Sequence, residues 1–376
     1  MYFLWFFFVF MLNEMKTEKI ISIGFNDMGG GYYTTVSMGT PRLMRYLVFD
    51  LYNNFTLFAQ MSKEYTSSSR KTFNMEKILN NEEIAMKYSD VFCFSDNICI
   101  EELKYYALEE DNKKYYYDSI GLGSSFDDES FSFVHSLFIK GAIEHKSFGL
   151  VTGTTNAGYL TFGGIPEQYL QQRIYVTKVN TIPKYVSWTI PINGITIGDN
   201  VYPLKDNIAS ISTKTQYISI PCDVFDIIVD KVFIKYFEKD ECSKKTFDRT
   251  SITIQCKRSI VKDLPPIGIV FGSTSITLQG DELFKDFFSD SISIIRKNES
   301  DKSSQWVLGV RFIRLFNILF DYKNKEVSFY SNKTFKTVTL NSNSKRISLM
   351  IINKVVLIIG IVLIIITRKI TISLYK

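Results

Sequence analysis

The chain reads as an all-β protein of two pseudo-symmetric lobes followed by a C-terminal transmembrane helix. Three observations predict this. Short runs rich in β-branched and aromatic residues recur between turn signals at about eight- to twelve-residue intervals. One strand-turn unit appears in each half, "YLVFD" ending at Asp50 and "NIASIS" ending at Ser212, which indicates duplication. Residues 347–366, "ISLMIINKVVLIIGIVLIII", are mostly apolar and as a helix would cover roughly 30 Å, one bilayer core.

Taken in order, residues 2–12, "YFLWFFFVFML", form an apolar run too short to span easily. It suits a signal peptide or a signal anchor, assigned to residues 1–16. An N-terminal β lobe is expected over 17–175. Its runs are "YYTTVSM", the turn "GTP", "YLVF" and "GYLTFGG" at 158–164. A C-terminal β lobe is expected over 176–340, with runs at 186–198, 208–220, 267–271 and 326–330, and a further run at 174–179 crosses the boundary. Helices are expected at 131–140, 222–237 and 281–288, and polar loops at 61–83, 109–114, 239–251 and 296–304. Asn353 and Lys354 interrupt the 347–366 run, and a buried C-terminal strand or helix is the alternative there. The tail 367–376 is short and basic, unlike the apolar end of a GPI signal. With an N-terminal signal, a type I single-pass protein of the secretory pathway or cell surface is the simplest topology.

Composition excludes some classes. The chain has 376 residues, 45% of them hydrophobic, and a net charge of +5. Its basic residues form no stripe, so nucleic acid is not an expected partner. Five cysteines are present: Cys93, Cys99, Cys222, Cys242 and Cys256. Cys93 with Cys99 could close a short hairpin, Cys242 with Cys256 a loop in the second half, and one cysteine must be left over. There is no C-x-x-C, and the two histidines are His135 and His145, so neither a metal nor another cofactor is expected. Sequons occur at Asn54, Asn298 and Asn332. A monomer is expected.

Four ordered stretches carry a family resemblance. They are "YYTTVSMGTPRLMRYLVFD", "YDSIGLGSS" (117–125), "GYLTFGGIP" (158–166) and "WVLGVRFIRLFNILFDYKNKEVSF" (306–329). Together they resemble the pepsin-like aspartic peptidases over most of residues 31–330. The resemblance implies a bilobal fold with a peptide-binding cleft and two catalytic aspartates, one from each lobe. Asp50, nine residues after Pro41, matches the first. The second falls nine residues before Pro221, where this chain has Ser212. Thr213 and Thr215 match the family's threonines there and are expected to line the substrate site. Tyr88 in "MKYSDVF" is the candidate flap tyrosine. Around Asp50 the family has Thr-Gly-Ser, whereas this chain has Leu51, Tyr52 and Asn53. Lys214 replaces the second glycine. The resemblance implies a bridge in the region of Cys242 and Cys256, although the family's partner cysteine further downstream is absent here. About twenty residues separate the apolar run from Tyr32, fewer than the family's propeptide.

These departures bear on chemistry. Two carboxylates that share a proton cannot both ionise, so one acts as base and the other as acid. A serine can hydrogen-bond a water but cannot supply the second role, which is typically worth ~10²–10⁴-fold. The glycines let backbone N–H groups approach the carboxylates, and Tyr52 and Lys214 carry side chains there. Leu51 lacks the hydroxyl that cross-links the two loops in the family. The twofold arrangement would also bring Lys214 within several Å of Asp50. The expected function is therefore an inactive homologue that binds peptide or protein in the interlobe cleft. Two alternatives stand beside it: an active endopeptidase using Asp50 with an unrecognised second acid, and a membrane-anchored scaffold.

Overall fold

The computed structural model describes residues 19–27, 31–58, 66–78, 83–95, 98–108, 117–124, 132–152, 157–246, 251–283, 291–296 and 305–340. In the first half the strands are β1 (Ile21–Asp27), β2 (Tyr32–Met38), β3 (Leu43–Asp50), β4 (Leu57–Phe58), β5 (Lys71–Ile78), β6 (Glu83–Ser95), β7 (Ile98–Leu108), β8 (Ser119–Gly121), β9 (Ser147–Thr152) and β10 (Ala157–Phe162). The second half adds β11 (Ile174–Asn180), β12 (Thr189–Ile197), β13 (Asn200–Ile211), β14 (Ile218–Ile220), β15 (Cys242–Thr246), β16 (Ile252–Cys256), β17 (Ile267–Phe271), β18 (Thr274–Leu278), β19 (Ser291–Arg296), β20 (Gln305–Leu308), β21 (Asn317–Asp321), β22 (Glu326–Ser331) and β23 (Lys336–Thr337).

Two sheets result. The first runs β11-β22-β21-β9-β10-β1-β2-β3-β8-β4-β7-β6-β5 and the second β15-β16-β19-β14-β20-β13-β12-β17-β18-β23. β21 comes from the end of the chain yet pairs with β9, with Phe320 opposite Phe148. The first sheet therefore bridges both halves. Trp188 packs at this junction against Phe148, Phe320 and Tyr322, with ring centroids 4.9–5.8 Å away.

The strands form because their apolar residues alternate. In β2, Tyr32, Thr34, Val36 and Met38 are buried while Thr35 is exposed, a period of two. β3 is different: Leu43 and Met44 are exposed, but Leu47, Phe49 and Asp50 are buried. β13 repeats that gradient, from exposed Asn200 to buried Ala209, Ser210 and Ile211. Both strands dive from the surface to the interior and deliver their last residues to the middle of the molecule. Phe49 is anchored there against Phe25 and Tyr32, at 5.5 and 6.5 Å between centroids. Burial of each such ring contributes about 1.5–3 kcal/mol.

The helix expected at 131–140 spans Phe133–Ile139, with Ser132 as N-cap accepting from the His135 amide. The one expected at 222–237 starts at Cys222 after Pro221 and passes through a π-helical turn, Val229–Phe233, before ending at Phe237. At 281–288 the described part is a 3₁₀ turn, Gly280–Leu283. Two expected loops contain strands. β5 lies within 61–83 and β15 within 239–251. Ser243 to Thr246 of β15 are all exposed, so no inward face marked the strand in the sequence. Its partner β16 and the Cys242–Cys256 disulfide define it. A second disulfide, Cys93–Cys99, ties β6 to β7, and Cys222 stands outside both. Among the described residues no helix is long and apolar enough to cross a membrane. The segments 1–16 and 347–366 lie outside the described residues.

Candidate functional site

The site is built by two copies of one local device. β3 runs parallel to β8, with Asp50 opposite Gly121, and β4 pairs antiparallel to β8. β13 runs parallel to β20, with Ile211 opposite Leu308, and β14 pairs antiparallel to β20. The glycines that follow have a steric reason. A Cβ on Gly121 would lie 2.2 Å from the Phe55 carbonyl oxygen, and one on Gly309 would lie 2.3 Å from that of Tyr217. Each turn after a strand end thus packs backbone against backbone, which only glycine permits. The echo between "YLVFD" and "NIASIS" is this duplicated device.

Asp50 is 1% exposed, and its carboxylate is surrounded by donors. Oδ1 accepts the amides of Tyr52 at 2.9 Å and Asn53 at 3.3 Å. Oδ2 accepts Asn53 Nδ2 at 2.8 Å and Lys214 Nζ at 2.6 Å. A carboxylate offers about four lone-pair sites, so all are used. Three of these bonds recur on an exposed turn. Asp321 accepts the amides of Lys323 and Asn324 on Oδ1 and Asn324 Nδ2 on Oδ2. The shared pattern is Asp-x-x-Asn, "DLYN" at 50–53 and "DYKN" at 321–324. In both places the aspartate side chain closes a turn at a strand end. Asn53 is thus a site residue that the sequence reading missed, and the repeated pattern was its signal.

Tyr52 and Lys214 cross between the halves in opposite directions. Lys214 reaches Asp50, 164 positions away. Tyr52 reaches back to Ser210, with its hydroxyl 2.9 Å from Ser210 Oγ. A third bond joins the halves, from Thr213 Oγ1 to the Phe49 carbonyl at 2.5 Å. Leu51, fully buried, can offer no counterpart. Ser212 is 2% exposed, and its Oγ accepts the Lys214 amide at 3.2 Å. Burial pushes the Tyr52 phenol up from its ordinary value; the bond with Ser210 opposes this and the Asp50 charge adds to it. The phenol therefore stays protonated at neutral pH.

A second ion pair adjoins these loops. Asp27 at the end of β1 pairs with Arg314, and Gln216 Nε2 donates to Asp27 Oδ1 at 3.4 Å. Sequence reading found Arg314 only as part of a matching stretch and missed Asp27.

Of the remaining expected residues, Thr215 shares the turn of Lys214 and Tyr88 lies on another strand. Thr215 is half-buried; its hydroxyl accepts the Tyr217 amide and its carbonyl the Val310 amide. Tyr88 sits in the body of β6, opposite Thr72 and Tyr105. Its ring stacks on Tyr105 at 5.6 Å under the Arg70 guanidinium. Those contacts pack the Tyr88 ring between Tyr105 and Arg70. A cavity of about 680 Å³, lined by Gly24, Tyr159, Tyr169, Arg173 and Asn317 among others, touches neither Asp50 nor Ser212.

Comparison with known proteins agrees with this architecture. The model of the eukaryotic aspartyl protease family matches residues 31–332. Renin of Rattus norvegicus is 26% identical over 179 residues, covering 46% of this chain and 41% of renin. Renin of Ovis aries is 23% identical over 178 residues with the same coverage. The chain thus spans well under two thirds of these relatives. The aspartic proteinase of Irpex lacteus shares the fold, with a TM-score of 0.65 at 15% identity, over 86% of this chain and 99% of that one. The protein belongs to the eukaryotic aspartyl protease family.

Proposed function

We propose that this chain is a catalytically inactive family member that holds a peptide or protein segment between its two lobes. The carrying observation is the saturation of Asp50. A water poised for attack needs one carboxylate oxygen to accept its proton. Lys214 Nζ takes the lone pair of Oδ2 that the turn leaves over. The partner acid is Ser212, which has no proton to give at a comparable pKa. The rival reading, an active peptidase with another second acid, draws little support from the other carboxylates of low exposure. Asp27 is engaged by Arg314, and Asp90 accepts from Ser69 at 2.6 Å and from the Val91 amide at 2.8 Å.

The same proposal places the lobes on the lumenal or extracellular side of a membrane, held by 347–366. Two disulfides fit an oxidising compartment. Asn54 and Asn332 of the sequons have solvent access. A peptide-library cleavage assay between pH 3 and 7 tests the inactive reading. No hydrolysis is expected, and cleavage that disappears in Asp50→Ala would overturn it. Carbonate extraction tests the anchor: release of the full-length chain from membranes would remove it.

A further inference from the structure

This inference rests on the proposed cleft-binding role and concerns what the site recognises. Polar groups at the centre of the site are nearly all consumed inside the protein. Asp50 has no acceptor site to spare, Ser212 is buried, Thr213 is bonded to Phe49 and Tyr52 to Ser210. Lys214 is the exception. Its side chain is 49% exposed, and among the described residues its ammonium donates to Asp50 alone. An ammonium has three protons, so two are left to donate to solvent or a ligand.

The ion pairs share a polarity. In both, the carboxylate side chain is 1% exposed while the cation has solvent access, 49% for Lys214 and 25% for Arg314. Gln216, on the same turn as Lys214, touches the second pair. Each acid is buried beneath its base, so the positive ends of both pairs lie toward solvent. An incoming carboxylate meets the ammonium first and the buried anion from farther away, which leaves a net attraction.

We infer that this site binds an acidic peptide by seating a carboxylate on Lys214. A ligand that offers a hydroxyl to Asp50 finds no acceptor there. Replacing a dyad that accepts a water proton with an outward ammonium reverses what the site asks of its ligand, from a donor to an acceptor.

The test uses the full-length chain in detergent and fluorescent peptides that differ at one central position, Glu or Gln. Each is made with a free or an amidated C-terminus, to separate side-chain from terminal carboxylates. A charge-assisted bond predicts about tenfold or greater preference for a carboxylate-bearing peptide. The preference should vanish in Lys214→Met. Should that variant fail to fold, Asp50→Asn gives the answer. It removes the opposing anion and keeps the ammonium, so the preference must rise. Equal binding of charged and neutral peptides, or an unchanged preference in Asp50→Asn, overturns this inference alone. If no peptide of either kind binds, the cleft-binding role falls with it. A hydroxyl-centred peptide mimic that binds as tightly as the acidic peptide would likewise overturn it.

Discussion

Lys214 Nζ lies 2.6 Å from Asp50 Oδ2, a contact between a half-exposed cation and a carboxylate that is 1% exposed. The two residues are 164 positions apart; Asp50 ends β3, and Lys214 lies in the turn that follows β13. The pair joins the two halves where the family's two acids would face one another. Its energetics and chemistry can be separated by mutation.

Lys214→Ala leaves Asp50 with its turn bonds but without its counter-charge. Breaking a fully buried pair costs about 3–5 kcal/mol, and the partial exposure of Lys214 puts the expected loss nearer ~2 kcal/mol. Adding Asp50→Asn should recover part of that loss, because the uncompensated charge is gone. Denaturant midpoints for the two single variants and the double variant measure this, and an additive double variant would contradict it.

Ser212→Asp alone should not produce a peptidase. Lys214 still fills the Oδ2 lone pair, and Tyr52 still crosses to Ser210. Leu51→Thr, Tyr52→Gly and Lys214→Gly are needed together with Ser212→Asp. Peptide hydrolysis by the single variant would refute this account of Asp50.

Asn53→Ala removes one bond to Oδ2 and loosens the turn, at an expected cost of about 1–2 kcal/mol. The same change at Asn324, on an exposed turn with the same bonding, should cost less, because water replaces the lost donor. Equal thermal shifts for the two variants would show that burial of the turn does not matter.

Alkaline pH should destabilise the fold through buried tyrosines. Burial pushes the Tyr32 and Tyr322 phenols far above their ordinary value. A raised folded-state pKa gives stability that is complete below pH ~10, where the unfolded phenol is also protonated. Above that pH the unfolded state loses protons that the folded state keeps. Stability then falls by about 1.4 kcal/mol per pH unit for each such tyrosine. In Tyr322→Phe the slope of stability against pH above 10 should be shallower than in the wild type, and an identical slope would argue against this.

Non-reducing peptide mapping should recover Cys93 linked to Cys99 and Cys242 linked to Cys256. Mixed pairing that includes Cys222 would contradict the register of both hairpins, in which the linked cysteines lie directly opposite.

Much of the site was legible because its information is local. An apolar run that ends at an acid, and prolines at the spacing that the family resemblance implies, locate Asp50 and Ser212 without any long-range pairing. The duplication made Lys214 an expected neighbour of Asp50. Other parts were hidden for a stated reason. β5 and β15 read as loops because strands at a sheet edge need no continuous apolar face. The contacts of Tyr88 were hidden too, because they are set by pairing with Thr72 and Tyr105 on neighbouring strands.

The sequence by itself pointed to the all-β class and the two-fold repeat, and its resemblance to the pepsin-like aspartic peptidases set Ser212 opposite the family's second acid. The first two follow from periodicity and turn spacing along short stretches, and the third from the resemblance. Only the tertiary structure decided which donors fill the Asp50 carboxylate. Its four hydrogen bonds come from its own turn and from a lysine in the other half, and the counter-bond from Tyr52 to Ser210 returns in the opposite direction. β21 and β22 joining the first sheet was likewise decided there. Such contacts depend on how two distant strand ends are brought together, and no local propensity encodes a distance between residues 164 positions apart.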